Sequence, residues 1–156
     1  MKKNILLFAT ILVCVLGLSS CLTSGLDPLP AYEDADITNF KFEHRWSIKE
    51  GTSDKLQVKE MTVDLSIDKE KNVVSAKITV PPAGEGFLQN EREKVSLKSI
   101  VGYCSLSTAA RIEPIGSAPR LGVPGDFSQS PMTYKVTAAD GKTVKEWKLI
   151  ITEFKK

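Results

Sequence analysis

The sequence predicts an all-β protein, an antiparallel β-sandwich of about seven strands with room for one short helix. Apolar and polar residues alternate with a period of two in several segments, as they do along half-buried strands. Short polar turns separate these segments, and the sequence has neither a βαβ rhythm nor an internal repeat. At 156 residues, the chain has the length of one such domain.

Alternation is clearest in three segments of the first half of the chain. The first begins at Asp36. Its inward-facing positions are Phe40, Phe42, His44, Trp46 and Ile48. Residues 61–67 and 74–80 alternate in the same way across a short polar loop, which predicts a β-hairpin. The run 81–84, Pro-Pro-Ala-Gly, ends this hairpin because proline cannot donate to a β-ladder.

The middle of the chain is less regular than its two ends. Leu97, Ile100, Val101 and Cys104 have i, i+3, i+4, i+7 spacing, which favours a short helix, although Val95 and Leu97 alone would also suit a strand edge. Residues 114–131 hold four prolines and three glycines. They predict a long loop, preceded by a brief strand at 111–113.

The C-terminal segment carries the strongest local signal. Residues 134–138 and 144–154 both alternate, with Trp147 on the apolar face of the second run. Between them, Asp140-Gly141 is a dipeptide favoured in primed hairpin turns, in which φ is positive. The sequence therefore predicts a closing hairpin.

The first twenty residues have the features of an export signal. Two lysines precede the apolar run Ile5–Leu18, and Ser19-Ser20-Cys21 follows it. This run is shorter than the roughly 20 residues that span a bilayer, so a cleaved signal is favoured over a transmembrane helix. Leucine, two small residues and cysteine resemble the bacterial lipobox, which implies acylation of Cys21. The alternative is an ordinary signal peptide with a chance cysteine.

These features divide the chain into three parts. Residues 1–20 are the predicted signal peptide, 21–35 a lipidated tether and 36–156 the β-sandwich domain. The tether contains prolines and a glycine without a period, which is typical of extended chain. The predicted partner of Cys21 is the membrane itself, because multiple acyl chains anchor a protein stably.

Charge and cysteine content exclude several classes of function. The chain has 21 basic and 19 acidic residues, and removing residues 1–20 takes away two lysines and no acid. The mature domain then has 19 basic and 19 acidic residues, so it carries no excess of positive charge for binding nucleic acid. Cys104 is then the one cysteine besides Cys21. Its apolar neighbours would raise its thiol pKa, so we expect a buried small hydrophobe and no catalytic thiol.

The last fifty residues carry a more specific pattern. Ile112-Glu113-Pro114 and Asp126-Phe127-Ser128 precede the run Tyr134–Gly141 and a closing strand that contains Trp147. These motifs resemble the DUF5018-like, immunoglobulin-like β-sandwich modules of Bacteroidetes lipoproteins, and Ile37–Phe42 resembles their first strand. The resemblance implies a Greek-key sandwich in a cell-envelope protein linked to glycan capture. It carries over no catalytic residue.

The resemblance also implies a lipid anchor in the outer membrane. Surface-exported lipoproteins of Bacteroidetes usually carry an acidic run directly after the acylated cysteine. Here the first acid after Cys21 is Asp27. The surface and the periplasmic face therefore both stay open.

The sequence offers no constellation for catalysis or for a metal. His44 shares a face with Phe40 and Phe42, so we expect a histidine at the edge of the core with one hydrogen bond. One histidine and one usable cysteine cannot form a structural zinc site. Loop aspartates could hold calcium, but no spacing resembles an EF-hand loop. We expect no cofactor, no metal and, since no nucleophile elbow or activated thiol occurs, no enzyme.

Sugar binding requires exposed aromatic faces with polar partners, although each loop aromatic by itself is expected to pack in the core or at a strand edge. Tyr32, Phe87, Tyr103 and Phe127 lie in predicted loops or turns. Phe127 is expected to plug one end of the sandwich. Phe87 has polar side chains close by that could bind hydroxyl groups. The predicted ligand-binding residues are Phe87, Gln89, Asn90 and Arg92.

The sequence thus favours a non-catalytic envelope lipoprotein. Its sandwich would bind glycan or support a complex for polysaccharide capture and uptake at the outer membrane. The alternative is a structural or protein–protein interaction module in an envelope complex, which would use an exposed edge strand or loop.

Overall fold

The structure, a computed structural model, describes residues 31–156 as nine β-strands and two short helical segments. In chain order these are β1 (Ile37–Glu50), β2 (Ser53–Glu60), β3 (Thr62–Asp68), β4 (Val73–Thr79), the helix α1 (Gln89–Lys94), a 3₁₀ turn (Leu97–Ser99), β5 (Ile100–Leu106), β6 (Arg111–Ile115), β7 (Pro124–Gly125), β8 (Met132–Thr137) and β9 (Val144–Lys155). The predicted signal peptide, Cys21 and the first part of the tether lie outside the described residues.

The strands form two sheets, which confirms the predicted β-sandwich. One sheet has the order β2-β1-β5-β7, and the other has the order β3-β4-β9-β8-β6. The described strands number nine where about seven were expected. Neighbouring strands are antiparallel except for β4 and β9, which pair in parallel although the sequence predicted an antiparallel fold.

The core lies between the two sheets and is built by the alternation along the strands. In β8 every second residue is buried, and in β9 Trp147 and Leu149 are buried while Glu146 and Lys148 are exposed. This is the period-two pattern of a sheet with one face on the core. The largest fully buried side chains are Trp147, Tyr134, Phe40, Phe42, Phe87 and Phe127.

The two predicted hairpins are both present. In the first hairpin, β3 and β4 pair from Thr62 opposite Thr79 to Asp68 opposite Val73. The carboxylate of Asp68 accepts hydrogen bonds from the backbone N–H groups of the residues two and three positions later in the turn. β8 and β9 form the C-terminal hairpin. Its turn differs from the primed type that was predicted, because Gly141 has positive φ (69°) and Asp140 does not.

The prediction of a helix over Leu97–Cys104 was wrong. Only Leu97–Ser99 forms a 3₁₀ turn, and Ile100–Leu106 is the strand β5. β5 lies inside its sheet, between β1 and β7. Ile100 and Val101 point to opposite faces and are both fully buried. A short apolar run of this kind has no period that distinguishes strand from helix.

Three further elements have weak sequence patterns. The strand β2 was not predicted, because it is exposed along most of its length and pairs only with β1 at the edge of its sheet. The brief strand expected at 111–113 is confirmed as β6. The short helix lies at Gln89–Lys94, a segment in which no residue is fully buried.

Asp36 binds the segment that leads into β1 to other parts of the domain. Its carboxylate accepts hydrogen bonds from the ammonium groups of Lys145 (2.7 Å) and Lys69 (3.1 Å), and its backbone N–H donates to the hydroxyl of Ser107 (3.0 Å). The hydrogen bond from Lys145 lowers the pKa of Asp36; partial burial opposes this and Lys69 adds to it. The carboxylate therefore stabilises the fold above its unfolded pKa near 3.8. This contribution is lost as pH falls through the folded pKa.

We expect Asp36→Asn to lower the free energy of unfolding by about 1.5–3 kcal/mol at neutral pH, the scale of one hydrogen bond to a charged group. The difference from the wild type should shrink as the pH falls below 3.8 and the carboxyl becomes protonated in the folded protein as well. Urea unfolding at neutral pH and at a series of acidic pH values measures it. Asp64→Asn is the control, because Asp64 is well exposed and its ion pair with Lys77 is long at 3.8 Å. A difference that persists unchanged in acid would contradict the assignment.

Candidate functional site

An open groove of about 350 Å³ lies between the far end of the β1–β2 hairpin and the helix α1. Its volume is within the lower range of ligand pockets, about 300–1,000 Å³. The groove is lined by Trp46, Ser47, Ile48, Gln57, Gly86, Leu88, Asn90 and Glu91.

The strand β1 forms this groove because it is longer than the strand beside it. β1 has 14 residues, but it pairs with β5 only as far as Glu43. From His44 onward its remaining hydrogen-bonded partner is β2. Alternation keeps Trp46 and Ile48 on the face that is buried at Phe42. Beyond the end of β5 that face is only partly covered, and Ile48 is 43% exposed.

The opposite wall comes from the segment that follows β4. Gly84 and Phe87 exchange two backbone hydrogen bonds (2.9 and 3.1 Å), and Gly86 between them has φ of 74°, a value that favours glycine. This turn directs Phe87 into the core and leaves Leu88 65% exposed at the groove. α1 begins directly afterwards.

Polar contacts hold α1 against both sheets. The guanidinium Nε of Arg92 donates to the carbonyl of Pro81 (2.9 Å), and the ammonium of Lys156 donates to the carbonyl of Glu93 (2.9 Å). These two contacts fix α1 to the chain ends of β4 and β9. On the other side, Glu91 Oε1 accepts a hydrogen bond from His44 Nε2 at 2.9 Å.

His44 and Glu91 form a buried polar contact at the base of the groove. Their side chains are 8% and 12% exposed, and Lys94 donates to the second carboxylate oxygen of Glu91 (2.8 Å). Burial raises the pKa of Glu91, but the hydrogen bonds from Lys94 and His44 outweigh burial and lower it. His44 Nδ1 is buried and meets no partner among residues 31–156. His44 is thus the core-edge histidine that the sequence predicted.

Trp46 is the aromatic wall of the groove. Its ring stacks on His44 (centroids 5.5 Å apart, 19° between planes) and contacts Phe87 (5.7 Å). The ammonium of Lys59 lies over the ring of Phe87 at 5.7 Å. This stack restrains the indole while leaving it partly exposed, so Trp46 presents a fixed apolar surface to the groove.

Of the four predicted ligand-binding residues, one lines the groove and three do not. Phe87 is 1% exposed, so the expectation that it forms an exposed platform was wrong: its ring supports Trp46 from below. Asn90 does line the groove. Gln89 donates to Glu93 (3.0 Å) and Arg92 to a backbone carbonyl, and neither lines the groove.

The other three aromatic residues that were predicted to lie in loops occupy different environments. Phe127 is fully buried against Phe42 in an edge-to-face contact (5.3 Å), which confirms its role as a plug. Tyr103 lies in β5 and not in a loop, whereas Tyr32 is 58% exposed. Cys104 is partly buried and burial raises its thiol pKa to about 11, the opposite of an activated nucleophile.

The predicted ligand-binding set contains one residue of the groove lining, Asn90, and Trp46 and Gln57 are among those that it missed. Alternation assigned Trp46 to the core, and nothing in the sequence shows that β1 extends past β5. Gln57 belongs to β2, which was not predicted. Within the described residues, no three His, Cys, Asp or Glu side chains come together as a metal would require. No helix in this part of the chain is long and apolar enough to cross a membrane.

The fold and the groove define a β-sandwich protein with an aromatic-walled surface groove. The chain belongs to the DUF5018-related family, whose model matches residues 37–150, as the sequence motifs indicated. No curated protein matches it.

The solved structures that resemble the chain include two Bacteroides proteins. One is a Bacteroides fragilis protein inferred to be secreted, with 40% sequence identity and a TM-score of 0.72 over 80% of this chain and 99% of that one. The other is a Bacteroides thetaiotaomicron protein inferred to be a glycoside hydrolase. It is 21% identical with a TM-score of 0.48, over 83% of this chain and 27% of that one. At that level the second likeness supports no inference about function.

Proposed function

We propose that the chain is a non-catalytic carbohydrate-binding module of the cell envelope, anchored by lipid at Cys21 and serving a polysaccharide capture and uptake system. The observation that carries this proposal is the groove between the β1–β2 hairpin and α1. Trp46 forms its wall, and the amides of Gln57 and Asn90 lie in its lining.

This lining suits a sugar ring. A pyranose has an apolar C–H face and a rim of hydroxyl groups, so it needs an aromatic surface together with groups that both donate and accept hydrogen bonds. Trp46 supplies the first and the two amides supply the second. The groove is open and shallow, which suits one or two residues of a longer glycan better than a small molecule that must be enclosed.

The absence of catalysis is also part of the proposal. Glycosidases use two carboxyl groups on opposite sides of the scissile bond, about 5–9 Å apart. Among the described residues, the groove lining contains one carboxylate, that of Glu91. Both of its oxygens already accept hydrogen bonds and its pKa is lowered, so it is a poor proton donor.

Export is supported from two directions, and anchoring by the first of them alone. The first twenty residues and Cys21 have the pattern of a lipoprotein signal. The relative from Bacteroides fragilis, inferred to be secreted, aligns over 99% of its own chain with 80% of this one. That relative also supports independent folding of the β-sandwich, since its whole chain corresponds to this domain.

We expect Trp46→Ala to weaken glycan affinity at least tenfold, because the stacking surface is lost. The measurement is affinity electrophoresis of residues 27–156 through gels that contain single polysaccharides. Leu56→Ala is the matched control: Leu56 is a 59% exposed apolar residue of β2 outside the groove. If the Trp46→Ala protein is retarded as strongly as the wild type, glycan binding takes place outside the groove. A broad panel without any retardation would reject the proposal.

A second candidate function is protein–protein interaction through the strand β2. This strand is eight residues long, lies at the edge of its sheet, and exposes Leu56 (59%) and Val58 (49%). An exposed edge strand can pair with an extended segment of a partner. If this is the function, Leu56→Lys with Val58→Lys should abolish cross-links formed in cells, whereas Trp46→Ala should preserve them.

A further inference from the structure

We infer that the groove selects neutral glycans whose sugar residues carry an N-acetyl group. This inference rests on the proposed function and names the class of ligand for the same site. It follows from the charge of the lining, from its exposed apolar side chains and from the position of its amides.

The charges around the groove disfavour acidic glycans. The lining described in this structure contains Glu91 and no lysine or arginine. Three cations lie nearby: Lys94 binds Glu91 (2.8 Å), Lys55 binds Glu50 (3.0 Å), and the ammonium of Lys59 lies over the ring of Phe87 (5.7 Å). A uronate or sulfate group would therefore approach the carboxylate of Glu91 with no cation in the described lining to pair with, and like charges reduce affinity.

The apolar part of the lining extends beyond Trp46 to Ile48 and Leu88. Trp46 can stack on the C–H face of one ring. Ile48 and Leu88 are 43% and 65% exposed, and the rim of a plain hexose offers them hydroxyl groups. A hydroxyl placed against an aliphatic side chain loses its hydration without a replacement hydrogen bond.

An acetamido group fits both parts of this surface. Its methyl can cover Ile48 or Leu88 and remove apolar surface from water. Its N–H and C=O match the carbonyl and NH₂ of a side-chain amide, and the groove has two of these, Gln57 and Asn90. A 6-deoxy sugar also carries a methyl group that could cover the aliphatic side chains. It lacks the amide group, so it cannot pair with the side-chain amides of the lining in the same way.

The test compares glycans that differ in this one group. Isothermal titration of residues 27–156 would use tetra-N-acetylchitotetraose against cellotetraose and against the deacetylated oligomer. N-acetylgalactosamine and galactose form a second pair, and a fucosylated oligosaccharide and a polyuronate complete the panel. We expect the acetylated member of at least one pair to bind about tenfold or more tightly, which corresponds to about 1.4 kcal/mol.

Variants connect the preference to the groove. Leu88→Ala should reduce the ratio between acetylated and plain ligands, and Leu56→Ala should leave it unchanged. Equal binding of both members, or tightest binding of the fucosylated or acidic glycan, overturns the inference and leaves the proposed carbohydrate binding intact. If no glycan in the panel binds, the inference and the proposed function both fail.

Discussion

Replacing Trp147 by alanine is expected to lower the free energy of unfolding by about 3–5 kcal/mol, the range for large aromatic residues truncated in a core. Trp147 is fully buried in β9, where it pairs with Tyr134. Its indole N–H also donates to the carbonyl of Ala35 at 2.9 Å. The substitution therefore opens a cavity and leaves a buried carbonyl without its donor. Since domains are stable by about 5–15 kcal/mol, this change removes much of the total.

Two further variants separate these contributions. Trp147→Phe keeps most of the apolar volume but loses the hydrogen bond, so its cost should be clearly smaller. Val144→Ala, at a 49% exposed position of the same strand, should change stability by less than about 0.5 kcal/mol. Urea unfolding measures all three. A loss below about 1 kcal/mol for Trp147→Ala would show that the core does not depend on this side chain.

The same residue illustrates what the sequence can predict. Trp147 stands in an alternating run that returns from Asp140-Gly141, and both the strand and its inward face were predicted correctly. Period-two patterns are reliable where one face of a sheet is buried and the other is exposed. They failed at Ile100 and Val101, because a strand inside its sheet, buried on both faces, has no such period. They also failed at β2, which is exposed along most of its length.

The groove was harder to predict than the core for a physical reason. It results from a mismatch in length between β1 and β5, which is a relation between strands and leaves no mark in either segment alone. The residues from Phe87 to Arg92 did identify one wall. Their roles within it depend on a single turn at Gly86, which directs Phe87 inward and Leu88 outward. A sequence pattern does not reveal which neighbouring side chain a turn will bury.

Replacing Cys21 by serine is expected to release the protein from the membrane completely. Each acyl CH₂ that enters a bilayer contributes about 0.8 kcal/mol, and a single chain binds only with K on the order of 10⁴ M⁻¹. Stable anchoring therefore requires the several chains that an acylated N-terminal cysteine carries. Fractionation of cells and labelling with radioactive palmitate measure the effect. Cys104→Ser is the matched control, because the thiol of Cys104 is partly buried in the domain.

The outcome also separates the anchor from the groove. A Cys21→Ser protein that fractionates with membranes as fully as the wild type would contradict anchoring by lipid and favour a bound partner in the membrane. If it becomes soluble, its glycan affinity should equal that of the isolated domain, since every groove residue lies between 46 and 91. Lost affinity in a soluble, folded Cys21→Ser protein would mean that binding requires the membrane or a complex there. That result would favour the interaction module over the carbohydrate-binding one.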